Sequence, residues 1–229
     1  MRRVRCTWCG HPPRTSYEIS LQGEFTCVDH GAPSRCTLCH RPCPPHVRWH
    51  RLADGARRCP TCSADAVDTQ EQARRHIPVL RADMAALGIT LTRRVRVTLV
   101  DTIEHGAGSA TLGLTHHIEN TTDVLGIDVL GGLTGTHFGR VLAHEIGHAW
   151  LVQQGAPVRD LVLVEGTCEL FAAAWLKKQR TPLATALRTA MATNQHPTYG
   201  TGYRLVRGAV AQHGIRAVLA ELCATGVLP

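Results

Sequence analysis

The string HEIGH, residues 144–148, constrains this chain most, and it lies within the apolar stretch VLAHEIGHAWLVQ, residues 141–153. The stretch contains no proline, so it predicts a helix, on which His144 and His148 share one face. Two imidazoles at this spacing can bind one Zn²⁺. Glu145 beside them is the type of residue that holds and deprotonates a metal-bound water. The HExxH pattern is only moderately specific, and a buried helix with two incidental histidines is the alternative.

A second apolar helix is predicted by LVLVEGTCELFAAAWL, residues 161–176, which carries Glu165 and Glu169 four positions apart. A zinc enzyme needs a third protein ligand and one open position. No third histidine follows the HEIGH string at metzincin spacing, and either glutamate would complete a His₂Glu set. The other glutamate could then accept a hydrogen bond from a ligand histidine. Both interrupt an apolar run, so plain solvent exposure is less expected than a metal or a buried partner.

The cysteines predict two further metal sites. Eight of the ten precede residue 63, mostly as close pairs. In a cytosolic chain such pairs indicate metal ligands rather than disulfides. The spacing divides the ligands into two half-modules of four, which are Cys6, Cys9, Cys27 and His30, followed by Cys36, Cys39, Cys59 and Cys62.

Alternative ligands remain open for the second of these sites. Cys43 and the nearby His40, His46 and His50 could each replace one of the four cysteines. The two remaining cysteines, Cys168 and Cys223, lie far downstream and are predicted to be ordinary core residues.

Composition narrows the class of protein. The 229 residues are enough for one medium and one small domain, and no apolar run is long enough to cross a bilayer. The first residues, MRRVRCTWCGHPPR, lack the apolar core of a secretory signal, so we expect a cytoplasmic protein without a membrane partner. The formal charge of +7 falls to about +6 once zinc and its thiolates are counted. No basic stripe is interleaved with aromatic residues, so nucleic acid is not an expected partner.

The hydrophobic periodicity predicts an α+β architecture with a boundary after residue 66. Residues 1–66 form a small metal-nucleated module, and residues 67–229 form the second domain. We predict a helix over Val67–Leu87, with Pro78 as a possible kink, and a sheet of three or four strands before the HEIGH helix. Everything from Thr136 onward is predicted to be helical, with a turn at Gly200 and Gly202. The predicted strands are Val95–Val100, Thr111–Ile118 and Val124–Leu130, and the last helices lie at 182–193, 202–213 and 215–224.

Several blocks, in the right order, resemble a known family. The tandem cysteine module, LAHEIGHAWL, VEGTCELFAAAWL and the closing HPTYGTGYRLVRGAVAQHGIRAVLAELCATGVLP are similar to the LIM-peptidase family called "DA-one", whose plant members limit organ size. The family has a VEEGICQ-like string, a YGxGFR-like turn and a TGxxP-like end. These match Val164–Glu169, Tyr199–Arg204 and Thr225–Pro229, and TLGLT at 111–115 also resembles a family string. The resemblance runs from Cys6 to Pro229.

The resemblance implies a gluzincin-like zinc peptidase with a zincin-like domain, one catalytic Zn²⁺ and two structural ones. The family's glutamate before glycine falls on Glu165, which implies that this residue is the third ligand. Glu169 falls where the family has a glutamine, a poor zinc ligand, which implies a supporting contact to a ligand histidine.

The chain also departs from the family pattern. Plant members are switched on by ubiquitin through helices ahead of the LIM domain, and this chain resembles a short member without them. Five residues separate His30 from Cys36, where LIM domains usually have two. The module is therefore either LIM-like or a pair of separate zinc-ribbon-like knuckles.

The predicted function is a zinc-dependent endopeptidase acting on protein substrates, with the module binding a substrate or partner or regulating activity. The alternative is an adaptor protein whose peptidase-like domain is inactive. Glu145 is the predicted base, and the strand at 111–118 either pairs with extended substrate or is an ordinary internal strand. A donor to the developing oxyanion is expected among the polar residues near Gly200, with Tyr203 or His196 preferred over Tyr199 and Arg204.

Overall fold

The cysteine-rich N-terminal part contains short strands and little regular structure. The structure is a computed structural model that describes residues 4–12, 16–31, 34–44, 46–52, 55–103 and 111–229. Two antiparallel hairpins alternate with the metal-ligand pairs, and a short helix carries the last pair. The elements are β1 (Tyr17–Ile19), β2 (Phe25–Cys27), β3 (His50–Arg51), β4 (Arg57–Arg58) and α1 (Pro60–Ala64).

The two halves of the module pack against each other. The backbone N–H of Leu21 in the first half donates to the carbonyl of Cys39 in the second, at 2.9 Å. Glu24 in the first half forms an ion pair of 3.1 Å with Arg41 in the second. Leu21 also packs against the buried cysteines of the second half. The two half-modules therefore pack as one unit.

A two-stranded ribbon joins the module to the rest of the chain. Strand β5 (Ala66–Val67) follows α1 and pairs antiparallel with β9 (Leu133–Thr134). Arg58, only 2% exposed, spans the same joint. Its guanidinium donates to both carboxylate oxygens of Asp68, at 2.6 and 2.8 Å, and to the carbonyl of Gly132 at 2.9 Å. The predicted boundary after residue 66 falls inside β5 and stays a prediction.

Helix α2 (Gln70–Ala86) forms as predicted and runs through Pro78 without ending there. Thr69 caps its first turn in a capping box with Gln72, which satisfies backbone donors that the helix leaves free. Buried residues recur in α2 at every third or fourth position and pack on the main core. They are Ala73, Ile77, Leu80 and Met84.

The predicted sheet is confirmed as three strands of mixed direction. They are β6 (Val97–Val100), β7 (Gly113–His117) and β8 (Val124–Leu130), in the order β6-β8-β7. The β6–β8 pair is parallel and the β7–β8 pair is antiparallel. Strands β6 and β7 are the outer strands of this sheet. The side chain of Gln70 covers the outer edge of β6, because its amide N–H donates to the carbonyl of Val97 and its amide oxygen accepts the N–H of Leu99. Among the described residues, β7 is the edge strand beside the HEIGH helix.

The C-terminal half is helical, as predicted, and the main core forms around α3 and α4. Thr134 caps α3 and Asp160 caps α4, each by accepting a backbone N–H. The predicted α+β class is confirmed. No helix within the described ranges has the length and apolar character to span a membrane. The helices are α3 (Gly135–Gln153), α4 (Leu161–Gln179), α5 (Pro182–Thr193), α6 (Tyr199–His213) and α7 (Ile215–Thr225).

The predicted turn at Gly200 and Gly202 is wrong, because both residues lie inside α6. Their role is close packing rather than chain reversal. A Cβ on Gly202 would lie 3.0 Å from the Cα of Gly166 in α4, and a Cβ on Gly166 would lie 2.8 Å from the Cα of Gly202. Only glycine at both positions lets the two helix backbones touch.

Candidate metal centre

The two histidines of the HEIGH string point from α3 to a common point. The Nε2 atoms of His144 and His148 are 3.2 Å apart. Their rings meet edge to face, with centroids 5.0 Å apart. This is the arrangement that the i, i+4 spacing predicts for two ligands of one ion.

Glu165 on α4 contributes a third atom to the same point. Its Oε2 lies 3.1 Å from Nε2 of His144 and 3.6 Å from Nε2 of His148. Three ligands bound to a tetrahedral zinc at its usual bond lengths are roughly 3.3 Å apart. The three atoms therefore already have the mutual spacing that a zinc ion requires.

The burial of the Glu165 carboxylate supports a cation at this point. Oε2 of Glu165 is buried and has no partner with hydrogen-bond geometry, although two ring nitrogens lie close to it. Such an orphaned oxygen is costly unless a cation satisfies it. Lone pairs that converge on one point, rather than on each other, are what ligands of a shared ion present. The residues present therefore fit a divalent metal.

Without a metal, the same contacts favour opposite charges on the two helices. Burial lowers the pKa of His144, but the nearby carboxylates of Glu165 and Glu169 outweigh it and raise this pKa to about 9. Burial raises the pKa of Glu165, and the two imidazoles outweigh it and lower this pKa to about 2. A carboxylate that stays ionised in a buried site is a ready cation ligand.

Glu169, one turn further along α4, lies behind His144. Its Oε1 is 3.0 Å from Nδ1 of His144 and 3.2 Å from a guanidinium nitrogen of Arg140. Burial raises the pKa of Glu169, and these two partners outweigh it, so the pKa is lowered overall. The contact with His144 is electrostatic, because Nδ1, like Oε2 of Glu165, has no partner with hydrogen-bond geometry. A carboxylate at this distance would favour the ring orientation that directs Nε2 toward the candidate metal position.

Cys168 also lies near this site, where sequence reasoning placed only a core cysteine. Its sulfur lies within 4.8 Å of one nitrogen from each of His144 and His148. The thiol is fully buried against Gly147. Burial raises its pKa well above the usual value, and the carboxylates of Glu165 and its neighbours raise it further. A neutral thiol is a poor zinc ligand, so Glu165 is the better third donor.

Strand β7 holds Glu145 at the edge of the cleft. The hydroxyl of Thr115 lies 2.8 Å from Oε2 of Glu145 and 3.0 Å from its backbone carbonyl. A Cβ on Gly113 would lie 2.8 Å from Oε1 of Glu145, so only glycine leaves room for this carboxylate over the strand. The sequence predicts a strand over the TLGLT string, whereas its contact with Glu145 depends on the tertiary fold.

The three ligand candidates and Glu145 line a cleft of about 730 Å³, with β7 along one wall. Tyr199, at the start of α6, also lines this cleft, and its ring centroid is 6.2 Å from that of His144. Burial raises the pKa of Tyr199, and the Glu165 carboxylate raises it further, so the phenol keeps its proton.

The structure does not bring the two preferred oxyanion donors to the cleft. Tyr203 is 6% exposed and belongs to the main core, with the guanidinium of Arg207 over its ring. The ring of His196 is tilted against that of Tyr199, with centroids 5.0 Å apart, and its Nδ1 accepts the backbone N–H of Thr198. Neither residue is among the described residues that line the cleft, whereas Tyr199 is.

The predicted ligands of the first cysteine site come together within 4.8 Å of one another: Cys6, Cys9, Cys27 and His30. Backbone N–H groups of Trp8 and Cys27 each lie 3.4 Å from the sulfur of Cys6. Burial raises the pKa of Cys6, but these donors outweigh it and lower the pKa to about 6. The thiolate form, which binds metal, is thereby favoured.

The second cysteine site is also assembled, from Cys36, Cys39, Cys59 and Cys62, all of which are buried. Backbone N–H groups again point at the sulfurs, with Cys59 N 3.4 Å from the sulfur of Cys36. None of the alternative ligands, Cys43, His40, His46 or His50, belongs to this cluster. The thiol of Cys43 instead accepts a hydrogen bond of 3.8 Å from Arg57.

The fold and these sites define a class of protein: an α+β chain in which a LIM-like cysteine module, with two clusters that could hold metal ions, precedes a domain with an HExxH helix. The chain belongs to the DA1-like family, because the family model described as Protein DA1 matches residues 63–190.

Its relatives extend the match across the module. The chain is 24% identical to Protein DA1 of Arabidopsis thaliana, over 88% of its own length and 50% of that protein. It is 24% identical to Protein DA1-related 1 of the same plant, over 87% and 49%. It is 22% identical to the LIM domain-containing protein HDR3 of Oryza sativa subsp. japonica, over 88% and 55%. The chain thus spans about half the length of these relatives. No solved structure matches it.

Proposed function

We propose that this chain is a zinc-dependent peptidase that hydrolyses peptide bonds of protein substrates. The observation that carries the proposal is the convergence of three atoms, from His144, His148 and Glu165, within 3.1–3.6 Å of one another beside the carboxylate of Glu145. Two histidines and a glutamate leave the fourth position of a tetrahedral ion open, which a catalytic site needs and a structural site does not.

Zinc at this point would polarise a substrate carbonyl and lower the pKa of a water molecule. Glu145 accepts the proton from that water and passes it to the leaving amine. Thr115 holds the carboxylate of Glu145 in place, and Glu169 holds the ring of His144, so neither group has to reorganise during the reaction.

Tyr199 is the proposed donor to the oxyanion that forms when water attacks the carbonyl. Its phenol lines the cleft near His144, and burial beside three carboxylates keeps it protonated. A donor pre-positioned for the developing charge stabilises the transition state more than the substrate.

Strand β7 is the proposed docking strand for extended substrate. It is an outer strand of the sheet, and its residues Gly113, Leu114 and Thr115 line the same cleft as Glu145. The other outer strand, β6, has its backbone groups bonded by Gln70. Pairing on β7 would present the scissile bond to Glu145 and the metal position.

The two cysteine sites are proposed to hold one structural zinc each, giving three zinc ions per chain. A Cys₃His and a Cys₄ set without an open position are typical of structural sites. The module would then bind a substrate or partner or regulate the peptidase, a task suited to a unit fixed to the second domain through Arg58.

The Glu145→Gln variant tests the proposal and separates it from the adaptor alternative. Peptides newly cut by the wild type, identified by N-terminal proteomics on a cell extract, should be absent with the variant. Elemental analysis should still find three zinc ions in both proteins, because Glu145 is not a ligand. Equal cleavage by both proteins, or no cleavage by either with full zinc content, would contradict a peptidase.

A further inference from the structure

A groove lined by arginines runs along α2 on a face that does not line the cleft. Two adjoining depressions, of about 410 and 580 Å³, share Arg81 and Arg94. Together they extend from Gln70 to Ala85 along the helix, which is about 22 Å. An extended peptide of roughly seven residues has this length.

The charge of this groove is uncompensated. Four guanidinium groups line it, and no aspartate or glutamate of the described chain does. Burial lowers the pKa of Arg81, and the charge of Arg94 lowers it further, so the two cations already oppose each other. The carboxylates nearest along α2 are engaged elsewhere, Glu71 with Arg75 and Asp83 with Lys178. The four arginines are Arg74, Arg81, Arg94 and Arg96.

One end of the groove is apolar. Beyond Arg81 and Arg94, the smaller depression is lined by Ala82, Met84, Ala85, Ile89, Leu91 and Ile146, with Thr90 at its rim. Ile146 belongs to the HEIGH helix, so the depression extends as far as that helix. An apolar side chain would fill this end, while acidic side chains would face the arginines.

The backbone along the groove cannot recruit a partner strand. Gln70 bonds the backbone of Val97 and Leu99, and the guanidinium of Arg81 donates to the carbonyl of Val95. The carbonyl of Arg96 accepts the N–H of Ile127. Recognition here must therefore come from side chains, through charge and an apolar anchor, and not from β-pairing.

We infer that this groove docks an acidic peptide segment of a partner protein, with one apolar residue anchored between α2 and Ile146. Complementary charge would speed association and select acidic partners, and the anchor would supply the buried area that charge alone does not. The site is separate from the cleft and does not depend on hydrolysis.

The test is fluorescence anisotropy of the whole chain with a short synthetic peptide in which glutamates flank a single leucine. The Arg94→Glu/Arg96→Glu variant should weaken binding by about tenfold or more. The Lys177→Glu/Arg216→Glu variant changes net charge equally at two exposed positions outside the groove, and it should bind nearly as well as wild type. Ala85→Trp, which fills the apolar end, should also weaken binding.

Four further outcomes would overturn the inference. One is equal weakening by both charge-reversal variants, which would show an effect of net charge only. Another is undiminished binding of a peptide whose leucine is replaced by serine, because this result would show that an apolar anchor does not contribute to binding. The third is preferential displacement of the peptide by a single-stranded oligonucleotide, which would make the groove a site for nucleic acid. Absence of peptide binding at millimolar concentration would equally reject it.

Discussion

Gly166 of α4 and Gly202 of α6 touch backbone to backbone, and this crossing brings Tyr199 to the cleft of the candidate metal site. A Cβ on either glycine would lie 3.0 Å or less from the Cα of the other. Glu165 immediately precedes the crossing on α4, and Tyr199 lies about one turn before it on α6. The contact therefore sets the distance between the third ligand and the proposed oxyanion donor.

The Gly202→Ala variant should destabilise the protein by about 2–3 kcal/mol, because the added methyl has no space between the two helices. Thermal or denaturant unfolding measures this. The matched control is Gly208→Ala, also in α6, where a Cβ meets nothing within 4 Å. That change should be neutral or stabilising by up to about 1 kcal/mol through helix propensity. Equal effects at the two positions would contradict a close crossing.

The two glutamates of α4 should differ in their effect on zinc. Glu165→Ala removes the third donor, and the variant should keep the two structural ions and lose the third. Glu169→Gln removes the negative charge beside Nδ1 of His144 but keeps an oxygen that can accept a hydrogen bond from it. Zinc should therefore still bind at His144, His148 and Glu165, roughly 10–100-fold more weakly. Competition with a chelator measures both affinities. The reverse order would assign the ligand role to Glu169.

Thr115→Val should lower kcat by about tenfold, since it removes the hydroxyl that holds Glu145 while keeping the shape of the side chain. Zinc content should not change, because Thr115 is 2.8 Å from the base and is not among the ligands. Thr115→Ser, which restores the hydroxyl, should recover most of the activity. A valine variant with wild-type kcat would show that the contact does not position the base.

Tyr199→Phe should lower kcat roughly 10²–10³-fold with little change in KM, as expected for loss of an oxyanion donor. Tyr203→Phe is the matched control, because Tyr203 is buried and does not line the cleft. Peptide hydrolysis by the two purified variants decides between them. A large loss with Tyr203→Phe and none with Tyr199→Phe would reverse the assignment.

Arg58→Met should destabilise the joint between the module and the second domain. The change deletes the hydrogen bonds of Arg58 to Asp68 and to the carbonyl of Gly132. Because Asp68 is partly exposed, the free energy of unfolding should fall by only about 2 kcal/mol. Arg75→Met removes an exposed ion pair with Glu71 and should change the unfolding free energy by less than about 0.5 kcal/mol. Hydrogen exchange at β5 and β9 should increase only in the first variant.

Local spacing in the sequence was enough to predict which cysteines and histidines the structure brings together, and most helices and strands. His144 and His148 share a face because four residues are close to one helical turn, whatever surrounds them. The cysteine pairs of the module are likewise local, since each pair and its turn bring two sulfurs together. The helices α2 to α5 followed from apolar periodicity, and Pro78 did not end α2.

Spacing alone does not distinguish residues that share a helix face, and the tertiary structure does. Glu165 and Glu169 are four apart on α4, and Tyr199 and Tyr203 are four apart on α6, so periodicity treats each pair alike. The crossing of α4 over α3 puts Glu165 at the Nε2 side of His144 and Glu169 at its Nδ1 side. The crossing at Gly166 and Gly202 puts Tyr199 in the cleft and Tyr203 in the main core. Spacing along the chain determines which side chains share a face, whereas contacts between distant elements determine which of them reaches the site.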